Sequence, residues 1–380
     1  LIKMFKKKQS PLPKSLLPIK KELKAIGKTS DPDSQLSIED SRILQEVKEK
    51  TLELNQNNVT RTKAYLDFYN ACPEIHWALL AHMVSRNGGW NMTDLKGELL
   101  TRLMSQKEQK SFFLFLERAN WLIFQDAYPQ LLIYQAGLQR KKNLSRLLPH
   151  LNISSFMKVL WNHFWQTRDS ALLTHALIVN EQNYVETRVV NHPEFQKNVL
   201  GSLEFKLQDY LSMNHILFPY LKNNATKLSG QTVHQFESLL ERIGIGKRLY
   251  TLLFSDEDRL HGTIRWANKY PHTGSRKDYW PHLFNFIHEG KPGVLLLPRL
   301  VSCHLLPGFS KFYSPKLEFA WKEQEHKEAE SGDWYKNWKI IYHLASSAEE
   351  TTGDIKKDYC QTLQKLELAA IAKKTLNSLK

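Results

Sequence analysis

Little in this chain announces chemistry. No H-E-x-x-H, G-x-S-x-G or G-x-G-x-x-G occurs in its 380 residues, which removes the familiar metalloprotease, hydrolase and dinucleotide signatures. "GIGKR" (244–248) hints at a phosphate loop, but Glu241 stands where the first glycine belongs, and Arg248 replaces the hydroxyl that would hold magnesium. Three isolated cysteines, Cys72, Cys303 and Cys360, form no C-x-x-C. That argues against a zinc site or disulfide framework and fits a reducing compartment. Long apolar runs are missing too. The best, "ANWLIFQDAYPQLLIYQAG" (119–137), is broken by Asp126 and Pro129, so it reads as a buried core helix. Strand-like alternation is almost absent. Acidic residues are scarce at the N-terminus, where residues 1–28 hold nine lysines and one glutamate, +8 of the net +14.

What is present is helical. Apolar spacing and capping residues predict helices through most of the chain from Ser37 onward, including 110–127, 130–148, 154–166, 169–190, 195–217, 232–254, 256–269, 276–288, 334–347 and 355–378. The expected fold is all-α: a basic, disordered tail (1–36) followed by a compact multi-helix domain (37–380). A break at 221–231 allows two lobes, 37–222 and 231–380. The tail has no continuous apolar face, since Pro11, Pro13 and Pro18 interrupt it. Its charge suggests an electrostatic tether to nucleic acid or an anionic lipid surface. The chain would then be cytosolic, at the periphery of a membrane or nucleoid.

Three regions hold candidate site residues. "RNGGWNMTDLKG" (86–97) reads as a helix stop and restart, with Asn87, Gly88 and Gly89 ending one helix. Trp90 packs over the corner, Asn91 or Thr93 caps the next helix, and Asp94 lies in its first turn. A helix-turn-helix reading fails on the outward residues Lys96, Glu98, Arg102, Lys107 and Glu108, whose mixed signs suit a groove poorly. Second, His82, His175, Glu186, Glu204 and His215 fall on apolar helical stripes. Buried, they form either a mutually satisfied polar network or a metal or acid/base site between helices. The Glu-x-x-His repeat of carboxylate-bridged bundles is missing, so no metal or cofactor is assigned. Third, "YPHTGSRKDYWPHLF" (270–284) carries Ser275 and Asp278 at capping-box spacing. Arg276 and Lys277 would oppose the dipole of a helix starting there. With His272 and Ser275 they would suit an anion, and removing both charges would slightly stabilise the unliganded chain.

The strings "HWALLAHMVSRNGGWNMTDLKG", "HALIVNEQNYVETRVV", "EFKLQDYLSMNHILFPY" and "PHTGSRKDYWPHLF" resemble the YppC-like proteins of Bacillus-type Firmicutes, domain-of-unknown-function family 2515. The resemblance spans about residues 40 to 345. It implies a bacterial cytosolic protein and supplies no activity, catalytic residue or cofactor. On the residues alone, the expected function is a polyanion-binding accessory or regulatory protein. The alternative is an enzyme with a Glu/His/Arg pocket between helices, metal-dependent or acting on a phosphorylated substrate.

Overall fold

Helix α1 (Leu17–Ala25) starts on Pro18, whose fixed φ suits the first helical turn. Its Ile19 and Leu23, four residues apart, and the preceding Leu16 are all buried in the main core. The Tyr335 hydroxyl donates to the Leu23 carbonyl at 2.8 Å. The computed structural model describes residues 11–26, 36–201, 215–233, 238–289, 297–345 and 353–378. Within the expected tail, therefore, 14–25 is ordered. Pro11 and Pro13 precede the helical segment, and Pro18 falls in the first turn of α1, where its missing N–H breaks no helical bond. Leu23→Ala is expected to cost about 2–3 kcal/mol, read as a lower denaturant midpoint at unchanged m-value.

Helices α2 (Ile38–Leu54) and α3 (Asn58–Ala71) open on capping boxes at Ser37 and Asn57. Helix α4 (His76–Asp94) then runs unbroken through Asn87-Gly88-Gly89. The predicted stop is absent, and neither Gly88 nor Gly89 has positive φ. Helix α5 (Gln106–Arg140) likewise carries Pro129 in its interior, where two helices were expected. Its proline costs one backbone bond, while Leu122, Phe124, Tyr128 and Leu131 around it are buried. Helices α6 (Ser155–Thr167) and α7 (Ser170–Val185) pack against each other and against α5.

The fold is mostly helical rather than all-α. Strands β1 (His215–Lys222) and β2 (Ala225–Thr232) form an antiparallel hairpin closed by Asn223 and Asn224, both at positive φ. Two left-handed residues make the tight turn whose twist matches the strands, and asparagine tolerates that backbone well. The polar stretch 221–231 is thus a hairpin turn and strand. The hydrophobic cluster that includes Leu16 takes residues from before and after it, through Ala370. Helices α8 (Leu239–Phe254), α9 (Glu257–Lys269) and α10 (Lys356–Ser378) complete the frame, with α9 packed on β1 and α4. The predicted helix 276–288 is a three-residue turn (Arg276–Asp278) leading to a short strand, and the described part of 334–347, up to residue 345, holds only short turns of helix from Trp338. Cys303 and Cys360 form a disulfide with Cα atoms 5.4 Å apart. That pairing corrects the reading of isolated cysteines; 57 residues of sequence separate them. Cys72 is free and buried.

Candidate functional site

Two of the singled-out stretches meet at one junction. Along α4, Arg86 lies over the Trp266 ring (4.5 Å to centroid) and donates to the Ala267 carbonyl (3.2 Å). Asn87 uses its amide as a strand would. Its Nδ2 donates to the Leu217 carbonyl and its Oδ1 accepts from the Leu217 N–H, both at 2.8 Å, which fixes α4 to the hairpin edge. Gly89 is required by close approach. A Cβ there would sit 2.3 Å from Asn58 Oδ1 and 2.4 Å from His272 Nε2. Trp90 is fully buried, edge-on to Tyr279 at 4.7 Å between ring centres. Thr93 donates to the Gly274 carbonyl at 2.5 Å; Gly274 itself is at φ +83°, with Leu317 packed where a side chain would project.

The 272–277 turn faces inward. Arg276 donates through Nε to Asp94 (2.7 Å), through Nη1 to Tyr279 (2.8 Å) and through Nη2 to Asn91 (3.0 Å). Ser275 donates to the Ser314 carbonyl at 2.7 Å. Lys277 reaches Asn285 (3.2 Å) and lies over Phe286. His272 Nε2 donates to Asn58 Oδ1 (2.9 Å), whose amide nitrogen is committed to the Ser85 carbonyl (2.9 Å). Asp278 does not complete a capping box. It accepts from the Thr273 N–H (2.9 Å) and hydroxyl (2.6 Å). Burial alone would raise its pKa, but His272 and the Thr273 donors leave it lowered. Asp94 is raised, because burial outweighs Arg276.

The five stripe residues do not form one constellation. His82 is sealed: its Nδ1 donates to the Thr62 carbonyl (2.8 Å) and its Nε2 accepts from Arg86 Nε (2.9 Å). Burial, and then the Arg86 charge, push its pKa well down, so it is neutral. His175 sits against Tyr250 on α8, with burial and then Lys247 lowering it to about 4. Glu186 pairs with Arg242. His215 is held between the hydroxyls of Thr232 (2.8 Å) and Thr362 (2.9 Å). Glu204 lies outside the described residues. Among the described residues no three His, Cys, Asp or Glu side chains lie together as a metal-ion group. No helix among them is long and apolar enough to cross a membrane. Gly246 and Lys247 of the failed phosphate loop are interior to α8, and Lys247 donates to the His343 carbonyl.

Two adjoining cavities share Ile216 and Val233 as wall. One, about 230 Å³, lies between the end of α4, α5 and α10, with Asp94, His215, Tyr359 and Thr362 among apolar walls. The other, about 170 Å³, lies between α4, α7 and α8 and contains Glu181. Sequence reasoning missed Glu181. Helix α7 is buried on several sides, so its apolar stripe does not single out one face, and Glu181 stands in the polar stretch Asn180-Glu181-Gln182-Asn183, which gives no local signal of burial.

Residues 53–359 match the family described as protein of unknown function (DUF2515), and the chain belongs to that family. The uncharacterized protein YppC of Bacillus subtilis (strain 168) is 38% identical over 313 residues, covering 81% of this chain and 96% of its own length. No solved structure matches.

Proposed function

We propose that this chain is a polyanion-binding accessory protein that presents its basic N-terminal segment on a fixed platform. The observation that carries the reading is the docking of α1. Its Ile19 and Leu23 enter the core, while Lys14, Lys21 and Lys24 are exposed. Lys20 and Lys24 lie over the ring of Trp338, at 4.9 and 4.3 Å, and that tryptophan stands between the exposed Lys336 and Lys339. Glu22 is the one acid in α1. Asp333 nearby is engaged by the Ser155 N–H and hydroxyl. A clustered, pre-positioned charge attracts a polyanion with less ordering cost than a free tail. The enzyme reading has less geometry behind it, since the described stripe residues lie at separate places.

The test is binding of duplex DNA, duplex RNA and anionic phosphatidylglycerol vesicles at low salt, with the full chain and with Lys14→Glu, Lys21→Glu, Lys24→Glu combined. At least one polyanion should bind the parent, and charge reversal should remove that binding. The melting temperature should stay close to the parent's, because exposed substitutions rarely exceed about 0.5 kcal/mol each. Equal binding by both proteins, or no binding of any polyanion to the parent, overturns the proposal.

A further inference from the structure

The smaller cavity has the character of a binding site. Its volume, about 170 Å³, exceeds the roughly 150 Å³ of an engineered apolar cavity that stays dry and takes up benzene. Its walls include Trp77, Leu80, Ile123, Ile245 and Leu249. Val84, in the middle of α4 and also on this wall, keeps 37% of its surface exposed. One carboxylate breaks the apolar lining. Glu181 accepts from Trp77 Nε1 and from Gln182 Nε2, each at 3.2 Å, and both donors are neutral. The two arginines on the same wall are turned elsewhere. Arg61 pairs with Glu117 and Asn55, and Arg242 with Glu186 and Gln182. Glu181 therefore forms no ion pair with either, and burial raises its pKa to about 7.

We propose that this cavity binds a small apolar molecule carrying one protonated amine, with the ammonium group against Glu181 and the apolar body among the α4, α7 and α8 side chains. A protonated amine provides the missing counter-charge and further donors, in a setting where a charge-assisted bond is strong. The rings of Tyr65 and Trp77, which also line the cavity, favour a cation. A carboxylate ligand would place like charges together. A plain hydrocarbon would leave Glu181 as it is.

The probes are benzylamine, benzyl alcohol, toluene and benzoate, which share one ring and differ in the polar group, titrated calorimetrically into the full chain. Benzylamine should bind at least about tenfold more tightly than toluene, and benzoate should bind most weakly. Benzylamine affinity should rise as pH climbs through 7, because Glu181 must ionise to pair with it. Glu181→Gln should lower benzylamine affinity at least about tenfold, abolish that pH dependence and leave toluene unaffected. Val84→Phe, which fills the space, should remove binding of both. The Glu181→Gln variant keeps an acceptor for Trp77, and its melting curve reports whether it folds. The proposal is overturned if no probe binds the parent, if toluene or benzoate matches benzylamine, or if folded Glu181→Gln binds benzylamine like the parent.

Discussion

Gly89→Ala is expected to destabilise the protein by about 3–5 kcal/mol, whereas Gly88→Ala, one residue earlier in the same helix, is expected to be neutral or slightly stabilising. Helix propensity alone predicts a gain of about 0.5–1 kcal/mol at both sites. The difference lies in what each new methyl group meets. At Gly88 it approaches the Asn120 amide at 3.2 Å, the end of a half-buried side chain that can shift by a few tenths of an ångström. At Gly89 it collides at 2.3 and 2.4 Å with Asn58 and His272, two buried groups bonded to each other. Relief requires breaking that bond, which leaves buried polar atoms unpaired. Denaturant midpoints of the two single variants check the contrast. A destabilised Gly88→Ala with a tolerant Gly89→Ala would mean that α4 does not pass the 272–278 turn this closely.

Arg276→Ala is expected to cost about 2–4 kcal/mol, because it leaves the half-buried Asp94 carboxylate without its cation and strips partners from Tyr279 and Asn91. The sign is opposite to that expected when Arg276 is read as an outward residue at a helix start. The loss should also depend on pH. Asp94 is already raised by burial in the parent, and without Arg276 it rises further. A carboxyl whose folded pKa lies above its unfolded value favours the fold when protonated and loses that contribution as pH rises through the folded pKa. The variant should thus be closer to the parent in acid than at neutral pH. Replacing the pair together, as Asp94→Asn with Arg276→Met, should recover part of the loss. Equilibrium unfolding at two pH values reads both effects. A variant as stable as the parent at neutral pH would show that the guanidinium is solvated.

Local chemistry makes part of this fold legible in the sequence, and contacts between distant residues hide the rest. Burial of Trp90, the capped helix after Ser37, and the helices 155–167, 257–269 and 356–378 follow from local chemistry, and local chemistry suffices there. Asn87-Gly88-Gly89 carries the local signature of a helix end, yet the glycines are needed by Asn58 and His272, which lie 31 residues before and 183 residues after Gly89. Arg276 was found, but the carboxylate that turns it inward is 182 residues away. The hairpin was missed because its strands hold few alternating residues and its Asn-Asn turn reads equally well as a linker. In the tail, proline and lysine content outweighed the one pair, Ile19 and Leu23, that docks. Glu181 was hidden because a helix buried on several sides has no single apolar stripe for a polar residue to interrupt.

A fixed polyanion platform on α1 is read most directly from the slope of affinity against salt. For duplex DNA each phosphate contact by a lysine contributes about 0.9 to the slope of log K against log salt. Lys14, Lys21 and Lys24 are exposed on the docked segment. Replacing all three by alanine should reduce that slope by roughly 2–3 and weaken binding at low salt, with the melting temperature nearly unchanged. Should RNA or anionic vesicles prove to be the tighter partner, the same variant should flatten the salt dependence measured with that partner. An unchanged slope in a folded triple variant would contradict a platform on α1 and place the polyanion contact elsewhere on the protein.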